Sequence, residues 1–146
     1  MLIRLATEND IKNLITIDSV ASNDPQRVIQ IHNWCMKGAC FLAEEYGEVM
    51  GYGVLNYNFF ECGFIEMLMV GEKYRRCGAG RALLNSLKSK CQHPKLFTTT
   101  NLSNIPMQRL LMTSGFIASG QIDNIDDNDP ELVFFQPTSV GVIGNK

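Results

Sequence analysis

Residues 67–84 read Met67-Leu-Met-Val-Gly-Glu-Lys-Tyr-Arg-Arg-Cys-Gly-Ala-Gly-Arg-Ala-Leu-Leu84. The apolar run Phe64 to Val70 that enters this stretch suits a buried strand. It is far short of the ~20 residues of a membrane span. A polar, glycine-bearing loop follows, and then a helix over about 78–91 with Ala79, Ala82, Leu83, Ser86 and Leu87 on one face. Free N–H groups at a helix N-terminus bind phosphate, and glycines let it come close. Lys73, Arg75, Arg76 and Arg81 place four cations within nine residues of a chain whose formal net charge is -2. That concentration points to an anionic ligand. A Walker loop needs Lys-Ser/Thr after its last glycine, and here Arg81-Ala82 follows. The dinucleotide fingerprint needs a third small residue, and here Leu83 stands in that place. The plainer reading is a strand-to-helix turn with solvated arginines.

Upstream of this stretch, Leu2 to Ala6 reads as a strand. Thr7 is the expected cap of a helix carrying Ile11, Leu14 and Ile15, with Asp18 breaking the apolar stripe. Asp24-Pro25 opens a second helix with Val28, Ile31 and Cys35 inward, ending at Lys37-Gly38. Strands follow over Cys40–Tyr46, Val49–Tyr57 and Gly63–Val70, with turns expected at Gly47-Glu48 and Asn58–Cys62. Short connections of this kind imply an antiparallel meander. Downstream, Leu96–Thr100 is β-prone. Asn104 can cap a helix with Met107, Leu110 and Leu111 inward, which Gly115 ends. Phe116–Ile122 and Leu132–Gln136 are the last strands, around an acidic loop at 123–130. Residues 138–146 read as a loose tail. The order β-α-α-β-β-β-α-β-α-β-β predicts a mixed α/β fold. Its sheet is twisted, mostly antiparallel, and flanked by helices on both faces.

At 146 residues the chain has about one domain's length, and one domain over 1–146 is expected. With 45% hydrophobic and 19% charged residues it is an ordinary globular mixture rather than a disordered chain or coiled coil. Its acidic balance argues against nucleic acid as a partner. Five cysteines without a CxxC spacing, and no signal peptide, fit reduced thiols in the cytoplasm rather than disulfides or a metal site.

The residues Arg75-Arg-Cys-Gly-Ala-Gly80, five after Val70, resemble the Arg/Gln-x-x-Gly-x-Gly/Ala signature of the GCN5-related N-acetyltransferases, the GNAT superfamily. Asn104, with Gly115-Phe116 eleven and twelve residues on, is similar to that family's next motif. Element order agrees over about residues 2–136. The resemblance implies acetyl-CoA as cosubstrate, no metal, and a primary amine of a small molecule or peptide as acceptor. It implies that the backbone of Leu68, Met69 and Val70 holds the pantetheine arm and thioester. The loop Arg75, Arg76, Cys77, Gly78, Ala79, Gly80 and Arg81 would then cradle the pyrophosphate, and Asn104 would contact the cofactor as well as cap its helix.

Transfer to an amine calls for a base, and Glu66 is the candidate. It is a carboxylate in an apolar run, two residues before Leu68, and shares a face with Leu68 and Val70 if no bulge intervenes. Burial there is expected to raise its pKa toward a useful value. The family's usual tyrosine, seven residues after the motif asparagine, is replaced here by Leu111, which leaves the acid step without its usual residue. That departure is the argument for the alternative, an acyl-CoA-binding sensor without turnover. Tyr57, Tyr74 and Ser114 are the spatial substitutes, each with packing as the plainer role. Asp123, Asp126, Asp127, Asp129 and Glu131 read either as a solvated turn or as recognition of a cationic acceptor. They lack the glycine and terminal glutamate of a calcium loop. Trp34, Phe59, Phe60 and Phe64 read as core before pocket, and His32 as a satisfied histidine before a ligand-facing one. Cys77 is given no nucleophilic role. An exposed strand would allow a homodimer, with no membrane partner.

Overall fold

The computed structural model describes residues 1–140. The elements run β1 (Leu2–Leu5), α1 (Ile11–Ile17), α2 (Pro25–Met36), β2 (Cys40–Glu45), β3 (Glu48–Phe59), β4 (Cys62–Val70), α3 (Ala79–Lys90), β5 (Lys95–Asn101), α4 (Ile105–Thr113), β6 (Ile117–Ile122) and β7 (Glu131–Pro137). The strands form a seven-stranded, mostly antiparallel sheet in the order β1-β2-β3-β4-β5-β7-β6, with β4 and β5 parallel. This is the mixed α/β architecture that the order of elements implied. The chain divides into two compact units, residues 1–55 with 67–87 and residues 56–66 with 88 onward.

In the first unit, side-chain alternation along β4 sorts two apolar clusters. Met67 and Met69 pack against a cluster that includes Leu14, Ile31, Trp34, Leu42 and Tyr52. Leu68 and Val70 pack with Ala43, Met50, Ala79 and Leu83. Helices α1 and α2 therefore cover one face of these strands and the start of α3 covers the other. Between β2 and β3 the pairing moves from Ala43↔Gly51 to Glu44↔Val49, so Met50 is the extra residue of a β-bulge.

The first turn of the meander is shifted by one residue from the expected position, and the second is tighter than the sequence suggested. The first is Tyr46-Gly47, with φ of 52° and 76°, and Glu48 already belongs to β3. The second is Phe60-Glu61, with φ of 53° and 65°. Two-residue hairpin loops of this kind place both central residues at positive φ, which matches the strands' twist. Neither pair is the Asn-Gly type that marks such turns in a sequence, so the boundaries were displaced.

Two buried carboxylates flank α1, Asp10 and Asp18. Thr7 precedes a 3₁₀ turn, Glu8–Asp10, rather than α1 directly, and the Asp10 carboxylate accepts from Thr7 N at 2.8 Å. Arg4 donates to both Asp10 oxygens at 2.9 Å and to Glu44 at 3.0 Å. Hydrogen bonding from Arg4, which outweighs burial, holds the Asp10 carboxyl down at about 2. A carboxyl depressed in the folded state stabilises above its unfolded pKa of ~3.9, and the contribution is lost as pH falls through the folded value. Arg4 is a third exposed, so solvent screening limits this to about 1–2 kcal/mol. Asp10→Asn is expected to lower urea-denaturation stability by that amount at pH 7. The gap to the unaltered chain closes between about pH 5 and pH 2.

Asp18, the break in the α1 stripe, is fully buried. Its Oδ2 accepts from the Tyr52 hydroxyl at 2.6 Å and from Arg27 Nη1 at 2.9 Å. Its Oδ1 accepts from Val20 N at 2.9 Å and Ala21 N at 3.3 Å. Helix α2 begins as expected, with Asp24 Oδ1 accepting from Gln26 N at 3.0 Å ahead of Pro25.

In the second unit, β4 pairs with β5 at Gly63↔Leu96, Phe64↔Phe97 and Ile65↔Thr98, and β5 pairs along its length with β7. Of the α4 residues expected inward, Leu111 is buried, while Met107 and Leu110 are half-buried. Gly115, at φ 94°, ends the helix as expected. Residue 138, expected to open a loose tail, is held in place. Thr138 is buried, its N–H donating to Pro94 O at 3.0 Å and its hydroxyl to His93 O at 2.7 Å. Residues 141–146 of that tail lie outside the described residues.

Candidate active site

The stretch 67–81 lies wholly in the first unit. Small residues on β3 let its elements close up. A Cβ on Gly51 would stand 2.6 Å from Met69 O, and one on Gly53 would stand 2.7 Å from Leu87 Cδ1. Beyond β4 the loop is pinned at three points. Gly71 N donates to Met50 O at 2.8 Å, Tyr74 N to Gly71 O at 2.9 Å, and the Tyr74 hydroxyl to Glu48 Oε2 at 2.9 Å. Tyr74 is thus the packing residue of this loop. The Cys77 thiol donates to Tyr74 O, turned back into its own loop.

The loop ends in an open cradle. Arg76 lies at φ 64° and Gly78 at φ 89°, and a Cβ on Gly78 would meet nothing within 4 Å. The first bond of α3 runs from Ala82 N to Gly78 O at 3.0 Å, so the N–H groups of Ala79, Gly80 and Arg81 precede it. Ala79 and Gly80 are buried; Arg75, Arg76, Cys77, Gly78 and Arg81 are exposed. Lys73 lies with Nζ 5.1 Å from the Tyr74 ring centroid, so it is placed on the loop's own aromatic. The positive end of a helix dipole, the N–H groups of its first turn and exposed guanidinium groups together suit a phosphate.

Glu66 and Asn104 belong to the second unit. Glu66 is exposed rather than buried, so its surroundings give no support to the expected desolvation. Its Oε1 accepts from Asn56 Nδ2 at 2.7 Å. Sequence reasoning passed over Asn56. Counting outward from the Phe60-Glu61 turn sets it opposite Ile65, one residue short of Glu66. Asn104 caps α4, its Oδ1 accepting from Met107 N at 3.2 Å. Leu111 is only 1% exposed and is part of the core.

The Tyr57 hydroxyl accepts from Gln92 N at 2.9 Å. Ser114 closes α4, its N–H donating to Leu110 O at 3.0 Å. Phe59 stacks on Phe64 at 4.9 Å and packs tilted on Phe97 at 5.2 Å, while Trp34 lies 6.2 Å from Tyr52. Phe60 is the exception, 86% exposed at the hairpin tip. His32 is exposed and lines a shallow depression with Glu8, Ile11, Lys12, Ile15 and Thr16. In the acidic loop, Asp126 accepts from Asn101 Nδ2 at 2.9 Å, Asp123 from Gln121 Nε2 at 2.8 Å, and Asp129 from Ser103 N at 3.0 Å and Oγ at 2.6 Å. Among the described residues no group of side chains could hold a metal ion, and no helix is long and apolar enough to cross a membrane.

Over residues 67–81, then, a strand runs into a glycine- and arginine-bearing loop at a helix N-terminus. The model of the acetyltransferase (GNAT) family matches residues 8–116, and the chain belongs to that family. An acetyltransferase of the GNAT family from Bacillus cereus ATCC 10987 is 30% identical, with a TM-score of 0.88 over 94% of this chain and 96% of that one. The ribosomal-protein-alanine N-acetyltransferase of Brucella melitensis shares the fold at 22% identity, with a TM-score of 0.76 over 94% of this chain and 99% of that one. So does a Bacillus anthracis str. Ames protein solved in complex with acetyl coenzyme A. It is 20% identical, with a TM-score of 0.62 over 67% of this chain and 61% of that one. None of the curated proteins matches this chain. The chain is an N-acetyltransferase, and its chemistry is acetyl transfer from an acyl-CoA.

Proposed function

We propose that the protein passes an acetyl group directly from acetyl-CoA to a primary amine of a small molecule or peptide. The observation that carries this is the open cradle at the start of α3. Gly78 leaves space where a side chain would stand, and Arg75 and Arg76 are exposed beside the N–H groups of Ala79, Gly80 and Arg81. Those groups suit a pyrophosphate. The backbone of Leu68, Met69 and Val70 is the proposed holder of the pantetheine arm. Asn104, with Oδ1 engaged by Met107 N, would act through Nδ2.

The bound cosubstrate supplies the acetyl group as a thioester whose thiol has a pKa of ~8.5 and leaves without prior protonation. Leu111 is therefore compatible with turnover. The Val70 N–H is the proposed donor to the oxyanion as it develops. Glu66 is the proposed base. At pH 7 a lysine-type amine of pKa ~10.4 costs about 4–5 kcal/mol to deprotonate, and an α-amine of pKa ~8 about 1 kcal/mol. Glu66→Gln is expected to lower turnover at pH 7 by about a hundredfold. The deficit shrinks as pH approaches the amine's own pKa; an unchanged rate at pH 7 would remove Glu66 as base.

The acceptor is tested by thiol release from acetyl-CoA against polyamines, amino acids, aminoglycosides and peptides with free N-termini. Turnover with one class identifies the acceptor. A preference for polycations would give the acidic loop a recognition role. The bonds that Asp123 accepts from Gln121, Asp126 from Asn101 and Asp129 from Ser103 favour the turn instead. Cofactor binding without turnover on any class would favour the sensor reading that Leu111 raises.

A further inference from the structure

We propose that Asn56 is a positioning residue that holds the Glu66 carboxylate in one orientation. The inference rests on the reading of Glu66 as the base. A carboxamide has two different ends, and the surroundings of Asn56 assign both. The N–H of Asn58 can only donate, and it donates to Asn56 Oδ1 at 3.1 Å. The NH2 end is thereby directed to Glu66 Oε1, which it meets at 2.7 Å. That distance is at the short end for N–H···O.

The backbone under this pair is held as well. The three residues before Glu66 are paired with β5, and Thr98 Oγ1 donates to Ile65 O at 2.9 Å. On the partner strand, Phe59 stacks on Phe64 at 4.9 Å and closes the hairpin that carries Asn56. An exposed glutamate otherwise samples many rotamers, and a base works only within hydrogen-bond reach of its proton. Asn56 restrains that freedom through one carboxylate oxygen.

Two readouts test this, one of which needs no turnover. NMR couplings that report the Glu66 χ1 angle are expected to show one dominant rotamer in the unaltered protein and averaging in Asn56→Ala. In kinetics with acetyl-CoA and the panel amine of fastest turnover, Asn56→Ala is expected to lower kcat about tenfold, the worth of one hydrogen bond to a charged group. Both KM values should be unchanged. Asn56→Asp keeps the shape, loses the donor and repels the carboxylate, so it should lose at least as much. Neither change should lower kcat further in a Glu66→Gln background. An unaltered Glu66 rotamer in Asn56→Ala overturns the proposal, and so do losses that multiply with Glu66→Gln. If Glu66→Gln itself leaves kcat intact, the base reading fails and takes this inference with it. If Glu66→Gln is slow but Asn56→Ala is not, the inference fails alone.

Discussion

Asp18→Ala is expected to destabilise the protein by about 3–5 kcal/mol, the usual cost of removing one partner from a buried ion pair. The Asp18 side chain is 0% exposed and that of Arg27 14% exposed. Without the carboxylate, the Arg27 cation stays largely desolvated with its partner gone. The Tyr52 hydroxyl, on a fully buried side chain, also loses its acceptor at 2.6 Å. The N–H groups of Val20 and Ala21 lose theirs too, which loosens the turn between α1 and α2. Burial, then the neighbouring Asp18 carboxylate, pushes the Tyr52 hydroxyl far above its ordinary pKa, so it stays a donor throughout the accessible pH range. For a chain of this size the loss corresponds to a fall in Tm of roughly 10–15 °C. Tyr52→Phe removes one hydrogen bond and leaves the ion pair, and it should cost only about 1–2 kcal/mol. Equal effects of the two substitutions in thermal denaturation would mean that the ion pair contributes nothing of its own.

The same aspartate shows where sequence reasoning reached its limit. The apolar spacing of Ile11, Leu14 and Ile15 was enough to place α1, because a helix buries one stripe whatever its partner is. Asp18 stood out as the exception on that stripe. Its partners, nine and 34 positions away, are set by tertiary packing, which no local pattern reports. The stretch proposed to hold the cofactor was legible for the opposite reason. A phosphate cradle is built from consecutive N–H groups and glycines, so its chemistry is written locally between Val70 and Arg81. Glu66 lies between these cases. Its apolar neighbours suggested burial, yet strand neighbours alternate between faces, and Glu66 is exposed with Asn56 beside it. The hairpin tips were displaced by a residue or two because Tyr46, Phe60 and Glu61 adopt positive φ without being glycine or asparagine.

Gly80→Leu is expected to weaken CoA binding by at least about a hundredfold, a loss of about 2.7 kcal/mol or more. Gly80 is buried in the first turn of α3, one residue past Ala79, where the N–H groups proposed to meet the pyrophosphate lie. A glycine at such a place serves to let the backbone approach the phosphate. Leucine is the better helix former by about 1 kcal/mol, so helix propensity itself does not oppose the change. The loss should fall on the ligand that needs the cradle. A short acetyl thioester without the nucleotide lacks the pyrophosphate. It should therefore bind the unaltered protein much more weakly than acetyl-CoA, and Gly80→Leu should leave its affinity unchanged. Circular dichroism and Tm without ligand would show whether the variant folds. At a hundred times its Kd, acetyl-CoA stabilises the unaltered protein by about 2.7 kcal/mol, several degrees in Tm, and that increment should vanish in the variant. A folded Gly80→Leu that keeps its affinity for acetyl-CoA would place the phosphate site away from the start of α3. A truncated thioester that binds as tightly as acetyl-CoA would mean that the arginine-bearing loop makes no contribution to holding the cosubstrate.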